Sequence, residues 1–324
     1  MSESASTLQK VRVYYLSSGK LGTHILDALL QNDAIELVGI GSQPDRLAGR
    51  KHELKPTEFT RHALAKGCEV DRIKSVNTPE FLDKLRSLGT EILLVVAFGQ
   101  LLKSDLLSLP TYGCVNVHAS LLPKYRGACP IAAAILNGDE KTGVTFMRMD
   151  AGLDTGPVYE TVFLDISATE TAEQLEDRLG KLASEHIGGV LWKIAREGME
   201  PTPQPPATAP NVHKIAKTDG AISWTRSAKQ IYNMIRAYQP WPGSYTSVQT
   251  KGQWRRIQIT KATYSAAPTD KEPGQIISTD GKTLAVACGS GTLFIHSLFP
   301  EGKKEMTVES FLSGNPVLPG SMME

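Results

Sequence analysis

The sequence predicts an α/β protein in which a Rossmann-like, mostly parallel sheet is followed by a smaller OB-like β-barrel. Residues 92–97 form an uninterrupted apolar run, which is typical of a parallel strand buried on both faces. An apolar run at 11–16 leads through a glycine-containing turn into a helix with one apolar face. After residue 210, short strands alternate with Pro-Gly, Asp-Gly and Gly-Ser-Gly turns, which indicates a small antiparallel barrel.

A proline-rich segment separates these two patterns. The run PTPQPP, continuing to Pro210, has the composition of a semi-rigid spacer because proline fixes φ and lacks an N–H donor. We therefore predict a domain over 1–200, a linker over 201–210 and a domain over 211–324. Further elements are predicted as strands at 35–40, 114–118, 143–150 and 157–166, and as helices at 57–66, 79–88, 171–197 and 227–236.

The composition is that of an ordinary globular protein. Of 324 residues, 41% are hydrophobic and 21% charged, and 35 Lys and Arg balance 34 Asp and Glu, so any nucleic-acid binding must use local basic patches. Four scattered cysteines without C-x-x-C spacing argue against structural zinc or a disulfide framework and fit a reducing compartment. With a polar start and no apolar run of membrane-spanning length, we expect a cytoplasmic protein without membrane contact. We also expect a monomer without a metal ion.

Chemistry is concentrated in the stretch CVNVHASLLPKYRG, residues 114–127. Asn116 and His118 lie two residues apart at the end of a predicted strand and therefore point to the same face. An Asn amide can donate to an oxyanion, His can exchange a proton, and Asp154 in a glycine-framed loop can hold the His tautomer. These roles suit acyl transfer to an amine. The alternative is that Asn116 and His118 are ordinary polar residues at a strand end and that Asp154 caps a turn.

Two loops are candidate walls of a ligand site. Ser120, Leu121, Leu122 and Pro123 leave the Asn116–His118 strand as a loop that the proline stiffens. The segment 98–101 (Phe98, Gly99, Gln100, Leu101) follows the buried 92–97 strand at its carboxyl end, where open α/β sheets bind ligands. A plain strand-to-helix connection is the alternative for that second loop.

A long basic loop follows the second predicted strand. It contains Arg46, Arg50, Lys51 and Lys55, and its composition suits the phosphates or base edges of RNA, or alternatively a solvated surface. The C-terminal part also combines Lys and Arg with Tyr and Trp, as expected of a nucleic-acid-binding barrel. For Trp241 we favour the alternative, in which this residue packs the barrel against the first domain.

Several motifs together carry a family resemblance. NVHASLLPKYRGACPI, GDEKTGVTFMRMDAGLDTGPV, SQPDRLAGR, VVAFGQLL, KIAKTDGAISW and IRAYQPWPGS resemble the 10-formyltetrahydrofolate-dependent formyltransferases, and within them those that act on methionyl-tRNA. The resemblance implies Asn116, His118 and Asp154 as the catalytic residues, with the folate held by segments 98–101 and 120–123. It also implies that the basic loop, through Arg46, Arg50, Lys51 and Lys55, enters the acceptor stem of initiator methionyl-tRNA.

The sequence departs from the family at two places. Residues 17–22 read SSGKLG where the family has a Gly-Thr-Pro-x-Phe type turn, and Lys51 replaces a usual glycine after Arg50. Two other functions stay open: a formyltransferase for glycinamide ribonucleotide or a sugar-nucleotide amine, and a non-catalytic RNA-binding protein. The first would need neither the C-terminal barrel nor the long basic loop, and the second predicts a degraded site.

Overall fold

A seven-stranded sheet forms the centre of the first part of the chain. The computed structural model describes residues 9–48, 53–206 and 211–324. In chain order, the elements of this part are β1 (Val11–Ser17), α1 (Leu21–Leu30), β2 (Ile35–Ser42), β3 (Arg46–Ala48), β4 (Glu53–Lys55), α2 (Glu58–Ala65), β5 (Asp71–Arg72), α3 (Pro79–Ser87), β6 (Ile92–Val96), α4 (Ser104–Leu107), β7 (Cys114–His118), α5 (Pro130–Leu136), β8 (Lys141–Arg148), β9 (Val158–Asp165) and α6 (Ala172–Arg196).

The strand order of this sheet is β5-β2-β1-β6-β7-β8-β9. The pairs from β5 through β7 are parallel, whereas β7–β8 and β8–β9 are antiparallel. All five residues of β6 are buried, because helices and loops cover both faces of this central strand. The predicted Rossmann-like, mostly parallel sheet is confirmed, and the carboxyl ends of β1, β2, β6 and β7 meet at one edge.

An antiparallel half-barrel forms the second part of the chain, as the predicted fold class requires. Its strands pair in the order β10-β11-β14-β13-β12, with β15 added to β14. A capping box of Ser227 and Gln230 begins its first helix, which carries Ile231, Met234 and Ile235 as buried residues. The elements are α7 (Ala228–Ala237), β10 (Ser244–Thr250), β11 (Gln253–Ser265), β12 (Ile276–Thr279), β13 (Leu284–Ala287), β14 (Thr292–Pro300), β15 (Met306–Thr307) and α8 (Val308–Gly314).

Contacts divide the chain into two compact units. Unit 1 comprises Met1–Gly127, Lys141–Asp165 and Glu176–Val212, and unit 2 comprises Ala128–Glu140, Ile166–Leu175 and His213–Glu324. Unit 1 therefore includes the described residues of the proline-rich segment. In the described ranges, no helix is both long and apolar enough to cross a bilayer.

The long basic loop contains a short hairpin that the sequence did not indicate. Strands β3 and β4 pair antiparallel, with Arg46 opposite Lys55 and Leu47 opposite Leu54. Because β2 precedes this hairpin, it emerges at the sheet edge where the carboxyl ends of the parallel strands meet.

Candidate active site

The end of strand β7 holds two buried polar side chains. Asn116 is 9% exposed and His118 is 6% exposed. Asn116 pairs with β6 on one side and β8 on the other, whereas His118 pairs with β8. The two residues share one face of the strand, as their spacing predicts. A polar cluster therefore sits at the carboxyl end of a strand that is otherwise apolar.

Asp154 joins this cluster from the loop between β8 and β9. Its Oδ2 lies 3.7 Å from His118 Nδ1 and accepts a 2.8 Å hydrogen bond from Gly127 N, while Asn116 Nδ2 donates to Oδ1 at 3.5 Å. The carboxylate side chain is 16% exposed, so solvent screens its charge only weakly. The structure thus brings Asn116, His118 and Asp154 together in one place.

The second nitrogen of His118 fixes the ring. His118 Nε2 lies 2.9 Å from the carbonyl oxygen of Tyr125. Because a carbonyl can only accept a hydrogen bond, Nε2 carries a proton, and Nδ1 is the nitrogen that can exchange one. A second proton on Nδ1 would produce an imidazolium that faces the Asp154 carboxylate.

Left-handed backbone conformations accompany the site. Ala97, Tyr125 and Asp154 have φ angles of 46°, 61° and 54°, and each lies in a loop that follows β6, β7 or β8. Residues other than glycine rarely adopt this region, and it costs on the order of 1–3 kcal/mol, so the surrounding contacts must hold each loop in place. Local sequence preferences did not predict these conformations.

Thr145 on β8 shapes the loop at 120–123. Its hydroxyl donates to the carbonyl oxygen of Ser120 at 2.7 Å and accepts from Leu122 N at 3.2 Å. Ser120 is fully buried, and its own hydroxyl donates to the carbonyl oxygen of Lys124 at 2.6 Å. The half-buried side chains of 121–123 are therefore presented on a loop with a fixed backbone. Sequence reasoning missed Thr145, which is an unremarkable threonine in an alternating strand.

The loop at 98–101 offers its backbone and one side chain. Phe98 is 2% exposed and belongs to the apolar core, and the Gln100 side chain is bound to the backbone of residues 73–76. Gly99 has a φ of 78°, and Leu101 is 73% exposed. A ligand at this loop would meet main-chain groups and Leu101.

The basic loop is only partly described. Arg46 and Lys55 are exposed and lie opposite each other in the β3–β4 hairpin, and Arg46 donates to the side chain of Gln43. The candidate residues Arg50 and Lys51 lie outside the described residues. The described hairpin therefore contains two of the four basic residues that are predicted to bind RNA.

Within the described residues, β7 offers no thiolate nucleophile and no cluster of side chains suits a metal ion. Burial raises the pKa of the Cys114 thiol, at the start of β7, to about 12, so it is no thiolate nucleophile near neutral pH. Across 9–48, 53–206 and 211–324, no group of three or more His, Cys, Asp or Glu side chains could hold a metal ion.

One contributor to the site comes from the proline-rich segment. Gln204 Nε2 donates to the carbonyl oxygens of Asp154, at 2.9 Å, and Gly156, at 2.7 Å. Sequence reasoning missed it, and the available signal was a single amide side chain between prolines.

Family models match both parts of the chain. The model described as "Formyl transferase" covers residues 9–191, and "Formyl transferase, C-terminal domain" covers residues 214–316. A methionyl-tRNA formyltransferase of Marinobacter nauticus is 37% identical over 312 residues, covering 96% of this chain and 99% of that protein. The chain belongs to the methionyl-tRNA formyltransferase family. The family resemblance read from the sequence is thereby confirmed.

Other relatives agree with this assignment to the methionyl-tRNA formyltransferase family. The methionyl-tRNA formyltransferase of Citrifermentans bemidjiense is 36% identical over 97% of this chain and 96% of that protein. Among solved structures, the sugar 3N-formyl transferase WlaRD matches with a TM-score of 0.63 at 17% identity, over 91% of this chain and 100% of that one. HypX from Aquifex aeolicus in complex with tetrahydrofolic acid has a TM-score of 0.61 at 14% identity, over 94% of this chain and 47% of that one. At such identities these structures establish the fold.

Proposed function

We propose that this protein transfers the formyl group of 10-formyltetrahydrofolate to the α-amino group of initiator methionyl-tRNA. The product, N-formylmethionyl-tRNA, serves translation initiation. The single observation that carries this function is the buried cluster of Asn116, His118 and Asp154, in a chain that matches methionyl-tRNA formyltransferases over nearly its whole length. We assign these three residues the catalytic roles.

The chemistry of the two candidate walls supports a folate site. Leu121, Leu122 and Pro123 offer half-buried apolar surface on a loop that Thr145 holds, and segment 98–101 offers backbone groups. A folate ring needs apolar surface with a few fixed polar groups, and these loops offer apolar side chains and main-chain groups that support this proposal. We propose these two loops as the folate-binding residues. The folate supplies the activated formyl group.

Asn116 and His118 act on the oxygen of the formyl group. The amine of methionine is its own nucleophile and attacks the formyl carbon, which places a negative charge on the formyl oxygen. Asn116 Nδ2 and a proton on His118 Nδ1 are the donors for this charge, because His118 Nε2 already binds the Tyr125 carbonyl.

Asp154 orients the His118 ring, because its Oδ2 lies 3.7 Å from His118 Nδ1. The bond between the formyl carbon and the folate nitrogen then breaks, and a bound water carries the amine proton to that nitrogen. Removing one oxyanion donor costs on the order of a hundredfold or more in rate.

The acceptor is proposed to be bound by the basic loop. Arg46 and Lys55 project from the hairpin at the carboxyl edge of the sheet, and we assign them, with Arg50 and Lys51, to the phosphates of the acceptor stem. The basic and aromatic residues of the half-barrel are further candidates for tRNA contact. We propose a cytoplasmic protein, in line with the scattered cysteines that fit a reducing compartment, and we propose that it is a monomer.

Formyl transfer to Met-charged initiator tRNA tests this function, with free methionine and uncharged tRNA as acceptor controls. Asn116→Ala and His118→Ala should each lose on the order of a hundredfold or more of the rate. His186→Ala, which changes a half-exposed histidine paired with Glu160, is the matched control and should keep it. Arg50→Ala should weaken transfer through the KM for tRNA.

The outcomes separate the candidate functions. Folate binding with transfer only to small amines would replace the tRNA assignment with a sugar-nucleotide or similar acceptor. Binding of tRNA without transfer to any amine would indicate a non-catalytic RNA-binding protein. Near wild-type rates in Asn116→Ala or His118→Ala would overturn the catalytic assignment.

A further inference from the structure

We propose that Gln204 is a positioning residue that fixes the Asp154 loop for catalysis. The inference rests on the proposed function, because it concerns the carboxylate assigned to orient His118. Gln204 lies 50 residues after Asp154 in the chain, and its side-chain amide donates to the main-chain oxygens of Asp154 and Gly156. It touches neither Asn116 nor His118 by any described hydrogen bond, so it acts through Asp154.

The loop that carries Asp154 needs such support. Asp154 has a φ of 54°, and residues 151–153 before it are exposed. A residue in this sparsely populated conformation is kept there by contacts with other parts of the structure. The two hydrogen bonds from Gln204 hold the carbonyl groups at and just after the strained residue.

The orientation of the Gln204 amide is determined by Arg126. Gln204 Oε1 accepts hydrogen bonds from Arg126 Nε at 3.1 Å and from Nη2 at 2.7 Å. An arginine is only a donor, so the amide oxygen must face it and the NH2 group must face the two carbonyl oxygens. Both amide hydrogens and the amide oxygen are thus used.

These contacts close a ring around the carboxylate. Arg126 directly precedes Gly127, whose N–H donates to Asp154 Oδ2 at 2.8 Å. Gln204 therefore ties the main chain of Asp154 to the same segment that binds its side chain. Moving either partner would shift the carboxylate relative to His118 Nδ1, which now lies 3.7 Å away.

The segment that carries Gln204 is anchored on both sides. Thr202 and Val158 exchange two main-chain hydrogen bonds of 2.8 and 2.7 Å, and Val212 N donates to the Arg126 carbonyl oxygen at 2.7 Å. Pro203 and Pro205 flank the glutamine and restrict its backbone. The amide is therefore presented by a stiff segment, as a residue that must place another group requires.

The first test is a comparison of Gln204→Met with Thr202→Ala. Gln204→Met keeps the side-chain length and removes all four hydrogen bonds, whereas Thr202→Ala alters an exposed side chain and keeps the main-chain pair with Val158. We expect Gln204→Met to lower kcat by on the order of tenfold to a hundredfold, since small misplacements have such costs. The KM values for folate and tRNA should stay within about twofold, because the binding surfaces are unchanged. Thr202→Ala should match the wild type.

The second test is a double-mutant cycle with Asp154→Asn. If Gln204 acts through Asp154, then Gln204→Met should cost little further rate in the Asp154→Asn background. Multiplicative losses, or a loss that appears in KM alone, would overturn the inference. Gln204→Glu, which retains the Arg126 partner but turns an oxygen toward the two carbonyls, is the replacement if Gln204→Met does not fold.

Amide hydrogen exchange separates this inference from the proposed function. Exchange of the amide hydrogens of Gly127 and of residues 149–156 should be faster in Gln204→Met than in Thr202→Ala, whatever the enzyme's acceptor. Wild-type protein that transfers no formyl group would refute the proposed function. Unchanged exchange in Gln204→Met would refute the positioning role on its own.

Discussion

Replacing Asp154 by Asn tests the electrostatic argument for the active site. The substitution keeps the size of the side chain and is compatible with the left-handed backbone at this position, because Asn tolerates a positive φ as Asp does. It removes the negative charge that lies 3.7 Å from His118 Nδ1. Any loss of rate therefore reports mainly on charge and on hydrogen-bond polarity.

The distance sets the size of the expected effect. Two unit charges 3.7 Å apart attract by about 4.5 kcal/mol at an effective dielectric constant of about 20. Because tenfold in rate corresponds to about 1.4 kcal/mol, complete loss of this attraction bounds the effect near three orders of magnitude. The side chains are 7% and 16% exposed, so screening is weak, and we expect a kcat loss between about a hundredfold and a thousandfold.

Single-turnover formyl transfer to Met-charged tRNA, with saturating folate, measures the chemical step directly. Asp150→Asn is the matched control on the same loop, since Asp150 Oδ1 accepts from Gly152 N and the Thr155 hydroxyl, and an Asn oxygen can do the same. The control should stay within a few-fold of wild type. A loss below about tenfold in Asp154→Asn, or an equal loss in Asp150→Asn, would contradict the electrostatic reasoning.

Three further predictions concern the framework of the site. Gly127→Ala should lower the free energy of unfolding, measured with urea, by about 2 kcal/mol or more and should lose activity. The reason is that the φ of Gly127 is 113° and a Cβ would lie 2.2 Å from the Val212 carbonyl oxygen. An unchanged urea midpoint would contradict this prediction. Burial alone would raise the pKa of Glu91, but hydrogen bonds led by Arg196 outweigh it and hold that pKa below its ordinary value of 4.5. This stabilisation is complete above pH 4.5 and is lost as pH falls through the lowered pKa. Glu91→Gln should therefore reduce the free energy of unfolding by about 2 kcal/mol at pH 7, and this free energy should fall less steeply with acid than in the wild type. An equal fall in both proteins, measured by urea unfolding, would contradict the prediction. Cys114 should resist iodoacetamide at pH 8 in the folded protein and react in urea, which peptide mass spectrometry measures, because burial raises its pKa to about 12; labelling without urea would contradict its burial.

Local sequence patterns were sufficient to predict an element where apolar residues form a regular or continuous run, and to predict a shared face where two residues lie close together in the chain. The continuous apolar run at 92–97 predicted a central strand, and β6 is buried at all five positions. The two-residue spacing of Asn116 and His118 predicted their shared face, and the glycine-framed loop predicted that a carboxylate returns beside them. Their catalytic roles remain predictions that the assays above test.

Contacts between distant segments were beyond the reach of local patterns. Gln204 and Asp154 are 50 residues apart, and nothing in a proline-rich composition indicates which carbonyl oxygens an amide will bind. Thr145 was missed for the same reason, since its hydroxyl meets a loop 25 residues earlier. The hairpin of β3 and β4 was missed because three-residue strands carry too little alternation to detect.

The contacts of Thr202, Gln204 and Val212 determine where the enzyme can be truncated. A fragment that ends at residue 200, where the composition suggests a border, would leave Arg126 and the Asp154 carbonyl without their partner amide. It would also leave Val158 without its paired main chain. Anyone who wishes to transplant this sheet and its loops into another protein must carry the segment through Val212 with them.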